Sequence, residues 1–424
     1  MTFSAGIDFG TTNTTAAITG DGTKPKLIPI EGQDSEIPSA MFFEEKSSGV
    51  FFGRDAVTKY TDGEPGRFMR SLKRVLGTDL MKTGTVINGR PVKFQSIIGA
   101  FVKNVKDKLD AAAGCDVERV VMGRPVHFQG GDAESDRAAE KELEEIAREA
   151  GFKEVLFQFE PVAAAFAHER LLSAERLAAV IDIGGGTSDF TIIKLGGVHA
   201  KNMDRCGDIL ANTGVRVGGN DFDKQLSLAA FMPEFGMGTE FAAGLSDASR
   251  TMTVPSAPFF DLSEWSRVDS IYSYQSLNAI RRTYAESQSP EKYARLLEAA
   301  ERQLGHRLLA AVEDVKIALS SAETTSAPLD FMRAAPEINI ERTVFENSIA
   351  QQISKIRAAA MECVRAAGVR AMDVELIILT GGSSEIPHVE NALCGVFPNA
   401  EISGTDKLSS VGLGLAFDAL RCFA

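Results

Sequence analysis

Two apolar runs, Phe3-Ser4-Ala5-Gly6-Ile7 and Leu177-Ala178-Ala179-Val180-Ile181, each stop at an aspartate that opens a polar, glycine-bearing turn. The turns are Asp8-Phe9-Gly10-Thr11-Thr12-Asn13-Thr14 and Asp182-Ile183-Gly184-Gly185-Gly186-Thr187-Ser188-Asp189. Each re-enters an apolar run, Thr15-Ala16-Ala17-Ile18 in the first and Phe190-Thr191-Ile192-Ile193 in the second. The pattern predicts strand, tight turn, strand, twice.

Around these repeats the polarity pattern alternates between strand and helix periods. A polar stretch, Asp21 to Lys26, leads to Leu27-Ile28-Pro29-Ile30, and Ile37–Phe43 reads as one strand entered through Pro38. Val50–Gly53 is followed by a short helix over Asp55–Tyr60. Phe68–Gly77 carries a basic cluster stopped by a glycine, by default a solvated helix face. Ile97–Ala113 is helical by its apolar spacing, Glu118–Val126 a buried strand ended by proline, and Asp136–Ala150 an exposed, charge-paired helix. Val155–Phe159 returns as a strand, and Glu160-Pro161 opens a helix with proline in its first turn.

The second half repeats this grammar. Thr213–Asp223 is glycine-punctuated and runs into a helix, and about Met232–Arg267 is irregular, with several prolines and the only tryptophan, Trp265. An apolar stripe through Tyr293, Leu297, Leu304, Leu308, Val315 and Leu319 predicts one long helix, Ser289 its N-cap and Pro290 its first residue, to about Ser320. A helix over Ile349–Ala367, a buried strand over Val374–Thr380, a third glycine turn over Gly381–Pro387 and a small-residue helix over Leu408–Ala424 complete the chain. The whole reads as an α/β protein.

Composition narrows the function classes. The 424 residues suffice for a two-lobed protein, and 44% hydrophobic with 24% charged residues supports an ordinary core. A net charge of −13 argues against nucleic acid or an anionic membrane as partner, and leaves an anionic ligand in need of local positive groups. Cys115, Cys206, Cys363, Cys394 and Cys422 are scattered and lack metal-ligand spacing, as expected of reduced thiols in a cytoplasmic protein. No run approaches a membrane span, and no signal peptide is expected ahead of Asp8.

The repeated turn suggests phosphate chemistry. Glycines let a ligand approach the backbone, consecutive N–H groups form an anion-binding concavity, and threonine hydroxyls add donors. An aspartate beside each anion site makes sense if hydrated Mg²⁺ sits between carboxylate and phosphate. One such turn alone is equally an ordinary glycine hairpin; two copies point to a nucleotide clamp.

Together, Gly6–Thr14, Ile181–Phe190, Val217–Asp223 and Leu379–Pro387 resemble the phosphate and adenosine motifs of the actin-like ATPase fold, in the manner of the 70-kDa heat-shock chaperone family, of which DnaK is the bacterial member. Phe159–Ala165 resembles that family's glutamate-proline-alanine linking helix, and Lys73–Gly77 falls where the family has its catalytic lysine. The resemblance covers nearly the whole chain. It implies two lobes, each with a ribonuclease-H-like βββαβαβα core, residues 1–173 with 403–424 and residues 174–402, and nucleotide in the cleft between them.

The resemblance also implies roles. Asp8 and Asp182 hold Mg²⁺ through water. Gly10, Thr11, Thr12, Asn13, Gly184, Gly185, Gly186 and Thr187 cradle phosphates. Lys73 places the attacking water or stabilises γ-phosphate charge, which turns the basic cluster into a site. Glu160 and Asp182 orient or deprotonate that water, with Thr187 beside them. Gly218, Gly219, Glu313, Lys316, Ile317, Gly381, Gly382 and Ser383 hold the adenosine. The helix after Glu160 and the C-terminal helix cross as a hinge. ATP or ADP with Mg²⁺ is the expected cofactor set, slow ATP hydrolysis the expected activity, and a co-chaperone or other protein the expected partner.

Three departures qualify this. The chain ends where the family's ATPase region ends, so no peptide-binding domain is expected, as in stand-alone DnaK-like proteins of the YegD type. The family's two adenine-sandwiching arginines correspond to Ile317 and Glu385. A cation over a ring is worth roughly 0.5–2 kcal/mol, so losing both weakens ATP about tenfold or more; either Ile317 packs on one face instead or the pocket takes another base. Asp223 to Glu313, roughly 90 residues, is longer than the family pattern, with an insertion around 232–288. Readings from other classes are a nucleotide-binding switch or scaffold without useful catalysis and a filament-forming relative of actin or MreB. A sugar or acyl kinase of the same superfold is disfavoured by the lack of a sugar-site motif.

Overall fold

The computed structural model describes residues 3–20, 23–45, 49–128, 133–169, 172–196, 205, 207–242, 251–403 and 410–423. Asp21, Gly22, Cys206, Leu408, Ala424 and part of the 232–288 insertion lie outside the described residues. The chain divides into two compact units: Met1–Gly218 with Lys355–Glu385 and Val389–Ala424, and Gly219–Ser354 with Ile386–His388.

The first unit contains two sheets built on one plan. In one, strand Phe3–Phe9 pairs antiparallel with Asn13–Gly20 and parallel with Arg119–Arg124, which pairs parallel with Glu154–Phe159. In the other, Arg176–Ile183 pairs antiparallel with Ser188–Leu195 and parallel with Leu376–Thr380, which pairs parallel with Glu401–Ile402. The central strands Phe3–Phe9, Arg176–Ile183 and Leu376–Thr380 are largely apolar and buried, as expected of sheets covered on both faces. The repetition extends to register. Asp8 stands opposite Thr15 in the first hairpin, and Asp182 opposite Asp189 in the second.

Helices Glu160–Glu169 and Ser410–Cys422 share a core with Val121, Ala178, Val180, Ile193 and Ile378, drawn from both sheets. Their small residues let the backbones touch: a Cβ on Gly414 would overlap the Ala163 carbonyl, and one on Gly6 would overlap the Ala416 amide. A second core lies around Phe9, Phe101, Ile98, Leu143 and Ile146, under helices Phe94–Ala113 and Ala133–Ala150.

Two predicted elements are divided. Ile37–Phe43 is two strands, Glu36–Pro38 in the first large sheet and Ala40–Glu44 in a separate three-stranded sheet with Val50–Phe52 and Gly66–Arg70. The break falls after Ser39, whose N–H carries the first ladder one residue further, to Thr12 O at 2.7 Å, while Ala40 already pairs with Arg70 in the second sheet. In the second unit, the long helix from Ser289 is two helices, Pro290–Glu301 and Gly305–Ser321. Gln303 takes a left-handed conformation (φ 54°), and the Gly305 N–H is bound by the Tyr272 hydroxyl at 2.9 Å. Ser289 occupies the N-cap position, but its side chain makes no capping bond.

The second unit is mainly helical: Gly219–Leu226, Ala257–Leu262, Tyr274–Ala285, Pro290–Glu301, Gly305–Ser321 and Arg342–Ser348, with two short antiparallel strand pairs. From the insertion, the Trp265 ring lies 5.7 Å from His306 at a tilt of 47°, and Phe259 sits edge-on to Tyr293. Among the described residues, no helix is long and apolar enough to cross a membrane, and Cys115, Cys363, Cys394 and Cys422 are free thiols.

Candidate functional site

The site in the first unit forms where strands of both sheets end. Asp8 and Asp182 stand at matching positions near the ends of their strands. Glu160 is the first residue of helix Glu160–Glu169, directly after the strand that ends at Phe159, and is buried. Lys73 lies in a 3₁₀ turn over Leu72–Val75. Ser71, just before that turn, has φ 59°, a conformation a non-glycine residue adopts at a cost. The outcome is an inward-pointing lysine. Lys73 is 6% exposed and its ammonium forms an ion pair with Glu160, so the solvated-face reading of this cluster does not hold for Lys73. Burial pays off only because Glu160 is there to receive it; an unpaired buried ammonium would be costly.

The glycines set how closely the loops approach. The second turn is closed by the Gly184 N–H donating to Thr187 O at 3.0 Å. A Cβ on Gly218 would lie 2.6 Å from Gly186 N and 2.7 Å from Gly184 O. Gly381 has φ 78°, and a Cβ there would come 2.7 Å from an Asp182 carboxylate oxygen. The Ser383 hydroxyl donates to Gly184 O at 3.3 Å. In the first turn, Gly10 leaves room for the Asn13 carbonyl, which a Cβ would overlap. Above Gly186, a Cβ would sit 3.4 Å from the Thr11 hydroxyl and 3.5 Å from Arg74 Nε. The two phosphate-type turns and the Gly218 and Gly381 turns therefore meet at one place.

Four carboxylates, Asp8, Glu160, Asp182 and Asp189, face one ammonium. Burial, then the Glu160 charge, pushes Asp8 up to about 7 against the pull of Lys73. Asp182 is raised well above the usual carboxylate range by burial and by the charges of Glu160, Asp8 and Asp189. Asp189 is pushed up to about 7 by burial and Glu160, although the Val126 N–H donates to it at 2.8 Å. Burial opposes the Lys73 charge, but Glu160 and Asp8 outweigh it and raise the lysine. The arrangement is short of positive charge. It would accept a cation, and an oxygen-only donor set with one buried, unpartnered oxygen (Asp189 Oδ2) suits a hard divalent ion such as Mg²⁺.

The remaining expected site residues, Gly219, Glu313, Lys316 and Ile317, belong to the second unit. Gly219 opens helix Gly219–Leu226 and the other three lie on Gly305–Ser321. Lys316 is buried in an ion pair with Asp223 at 2.8 Å, and Ile317 is 59% exposed. Pattern reasoning gave no role to Asp189, Gly123 or Arg74, which the fold brings beside the expected residues. A Cβ on Gly123 would meet Glu160 Cγ at 3.2 Å and an Asp8 oxygen at 3.6 Å. Aligning the two hairpins would have singled out Asp189, since it takes the position that Thr15 has in the first copy.

A family model described as Hsp70 protein matches residues 4–241 and 284–420. The unmatched interval lies within the 232–288 stretch expected to be an insertion. The mitochondrial 70-kDa heat-shock proteins of Solanum tuberosum and Pisum sativum are 26% and 25% identical to this chain over 441 positions, covering 97% of it and 54% of each relative. The chain thus spans about half the length of the curated relatives it matches.

Proposed function

The chain belongs to the Hsp70 family, with its actin-like ATPase fold, and from that premise we propose that it binds ATP with Mg²⁺ and hydrolyses it slowly. The observation that carries this reading is the buried Lys73–Glu160 pair set among Asp8, Asp182 and Asp189. The backbone N–H groups and hydroxyls of Gly10–Asn13 and Gly184–Thr187 hold the β- and γ-phosphates. Mg²⁺, when bound, neutralises phosphate charge. Asp8 and Asp182 hold it through its waters, since Mg²⁺ keeps several waters and takes few protein ligands.

Glu160 and Asp182 then orient the attacking water and draw off its proton as the oxygen approaches the γ-phosphorus. Lys73 stays protonated beside the charge that develops on the phosphoryl oxygens. Gly218, Gly219, Glu313, Lys316, Ile317, Gly381, Gly382 and Ser383 are assigned to adenosine. Hydrolysis would alter the closure of the protein, to be read by a protein partner, a co-chaperone among the candidates. Free thiols in the four described cysteines fit a reducing compartment, proposed as the cytoplasm; the relatives named above are mitochondrial by name.

Calorimetric titration with ATP, with and without Mg²⁺, then with GTP, tests the reading. Mg²⁺-dependent ATP binding supports it; no binding of either nucleotide sinks it. The second reading, a nucleotide switch without useful catalysis, is favoured by Ile317 and Glu385 at the two positions where the family has arginines. A single-turnover ATP assay separates the two.

A further inference from the structure

Ser39 is 1% exposed and grips the first phosphate-type turn at alternate residues. Its N–H donates to Thr12 O at 2.7 Å and its hydroxyl to Gly10 O at 2.7 Å. With that hydroxyl proton committed, the Thr14 hydroxyl, 2.9 Å away, donates to Ser39 Oγ. In a trans peptide the C=O and N–H point in opposite directions. Drawing the Gly10 and Thr12 carbonyls toward Ser39 therefore turns the N–H groups of Thr11 and Asn13 to the opposite side of the turn.

The same residue has a second attachment. Ala40, next in sequence, starts the three-stranded sheet and stands opposite Arg70. Arg70 is followed by the left-handed Ser71 and the turn that carries Lys73. On the other side, Pro38 stands opposite Asn13 in the large sheet. Ser39 is thus the junction between the first phosphate turn and the sheet that delivers the lysine.

We propose that Ser39 is a positioning residue, which fixes the phosphate-facing amides of Thr11 and Asn13 and Lys73 in one frame. The proposal rests on the nucleotide reading above and adds to it a residue that touches neither phosphate nor metal. Its hydroxyl is a poor candidate for simple filling of space. Replacing it by hydrogen leaves the half-buried Gly10 O without this donor and the buried Thr14 hydroxyl without its acceptor, and a buried hydroxyl left without a partner costs free energy.

The test compares the unaltered chain with Ser39→Ala and Ser39→Thr by calorimetric titration with Mg·ATP, single-turnover hydrolysis and thermal melting. The expected result is a loss of about tenfold in ATP affinity and a slower hydrolytic step in Ser39→Ala, with much of both restored in Ser39→Thr. If Ser39→Ala does not fold, Thr14→Val removes only the hydroxyl that donates to Ser39 and should lose severalfold in affinity. Equal affinity and rate in Ser39→Ala, or in Thr14→Val where that variant is the one measured, overturns the proposal. So does a lowered melting temperature with affinity and rate unchanged, which marks a purely structural residue. If the unaltered chain itself does not bind ATP, the nucleotide reading falls and this inference with it; that outcome is distinct from binding that is intact in the unaltered chain and in Ser39→Ala alike.

Discussion

Lys73 and Glu160, 87 residues apart in sequence, meet as a buried ion pair. A strained serine turns the lysine inward, and a helix N-terminus supplies the carboxylate. Neither charge would be stable in this interior alone. Their pairing fixes a cation beside three further carboxylates, a distribution that calls for additional positive charge.

Lys73→Ala should abolish turnover, by at least about a hundredfold in single-turnover rate, while ATP binding survives. It should also destabilise the unliganded protein, since removing one partner of a buried pair costs about 3–5 kcal/mol. The double variant Lys73→Met with Glu160→Gln removes both charges and should recover much of the stability but none of the turnover. Urea unfolding with a single-turnover assay separates the two effects. Unchanged turnover in Lys73→Ala would take the lysine out of the mechanism.

Gly218→Ala tests the close approach of the loops. Its Cβ would sit within 2.6–2.7 Å of three backbone atoms of the second phosphate turn, and backbone cannot swing aside as a side chain can. A displacement of the turn by under an ångström should cost at least about tenfold in ATP affinity, together with a lower unfolding midpoint, since overpacking against backbone costs about 1–3 kcal/mol. Wild-type affinity would mean that this turn does not hold phosphate.

How much of this was legible in the sequence depended on the range of the interactions. The two Asp-glycine turns are local: the residues that make the hairpin are the residues that make the pattern, and both appear as read. Asp189 was visible as the end of the second copy, yet its role emerges only when the copies are laid in register against Thr15. Lys73 was different, because a basic cluster ended by glycine is locally a surface helix. Its burial is decided by Glu160, far along the chain. The long apolar stripe through Leu297 and Leu304 continued across a real break, since periodicity cannot see one left-handed residue, Gln303. Likewise Ile37–Phe43 is uniformly strand-like, yet its pairing partner changes between Ser39, still bonded to Thr12, and Ala40, which stands opposite Arg70 far along the chain.

Ile317→Arg tests the adenosine assignment. The position is 59% exposed on helix Gly305–Ser321, so an arginine should leave the fold undisturbed. A guanidinium over the base is worth roughly 0.5–2 kcal/mol, a gain of about twofold to thirtyfold in ATP affinity. Calorimetry with ATP and with GTP reads it directly. No gain for either would show that this side chain does not face the base.

His168 gives the protein an acid sensitivity of its own. It is buried on helix Glu160–Glu169, with Nδ1 3.0 Å from the Ser403 hydroxyl, and burial lowers its pKa from the ordinary 6.5. Above about pH 6.5 the imidazole is neutral folded or unfolded and contributes nothing to the pH dependence. Below it the unfolded chain binds the proton first, so stability falls with pH, by at most about 1.4 kcal/mol per pH unit, until the lowered folded value is reached. Asp8 and Asp189, raised to about 7 in the folded protein, act in the opposite sense: they favour the folded state at low pH and lose that contribution as pH rises from 3.8 toward 7. The two trends overlap, so the raw stability curve cannot resolve the histidine. His168→Gln keeps a hydrogen-bonding group for Ser403 and removes only the titration. The difference in unfolding free energy between the unaltered chain and this variant should be flat above pH 7 and should turn against the unaltered chain below about pH 6.5. Parallel curves throughout would show that His168 is protonated as readily in the folded protein as in the unfolded chain.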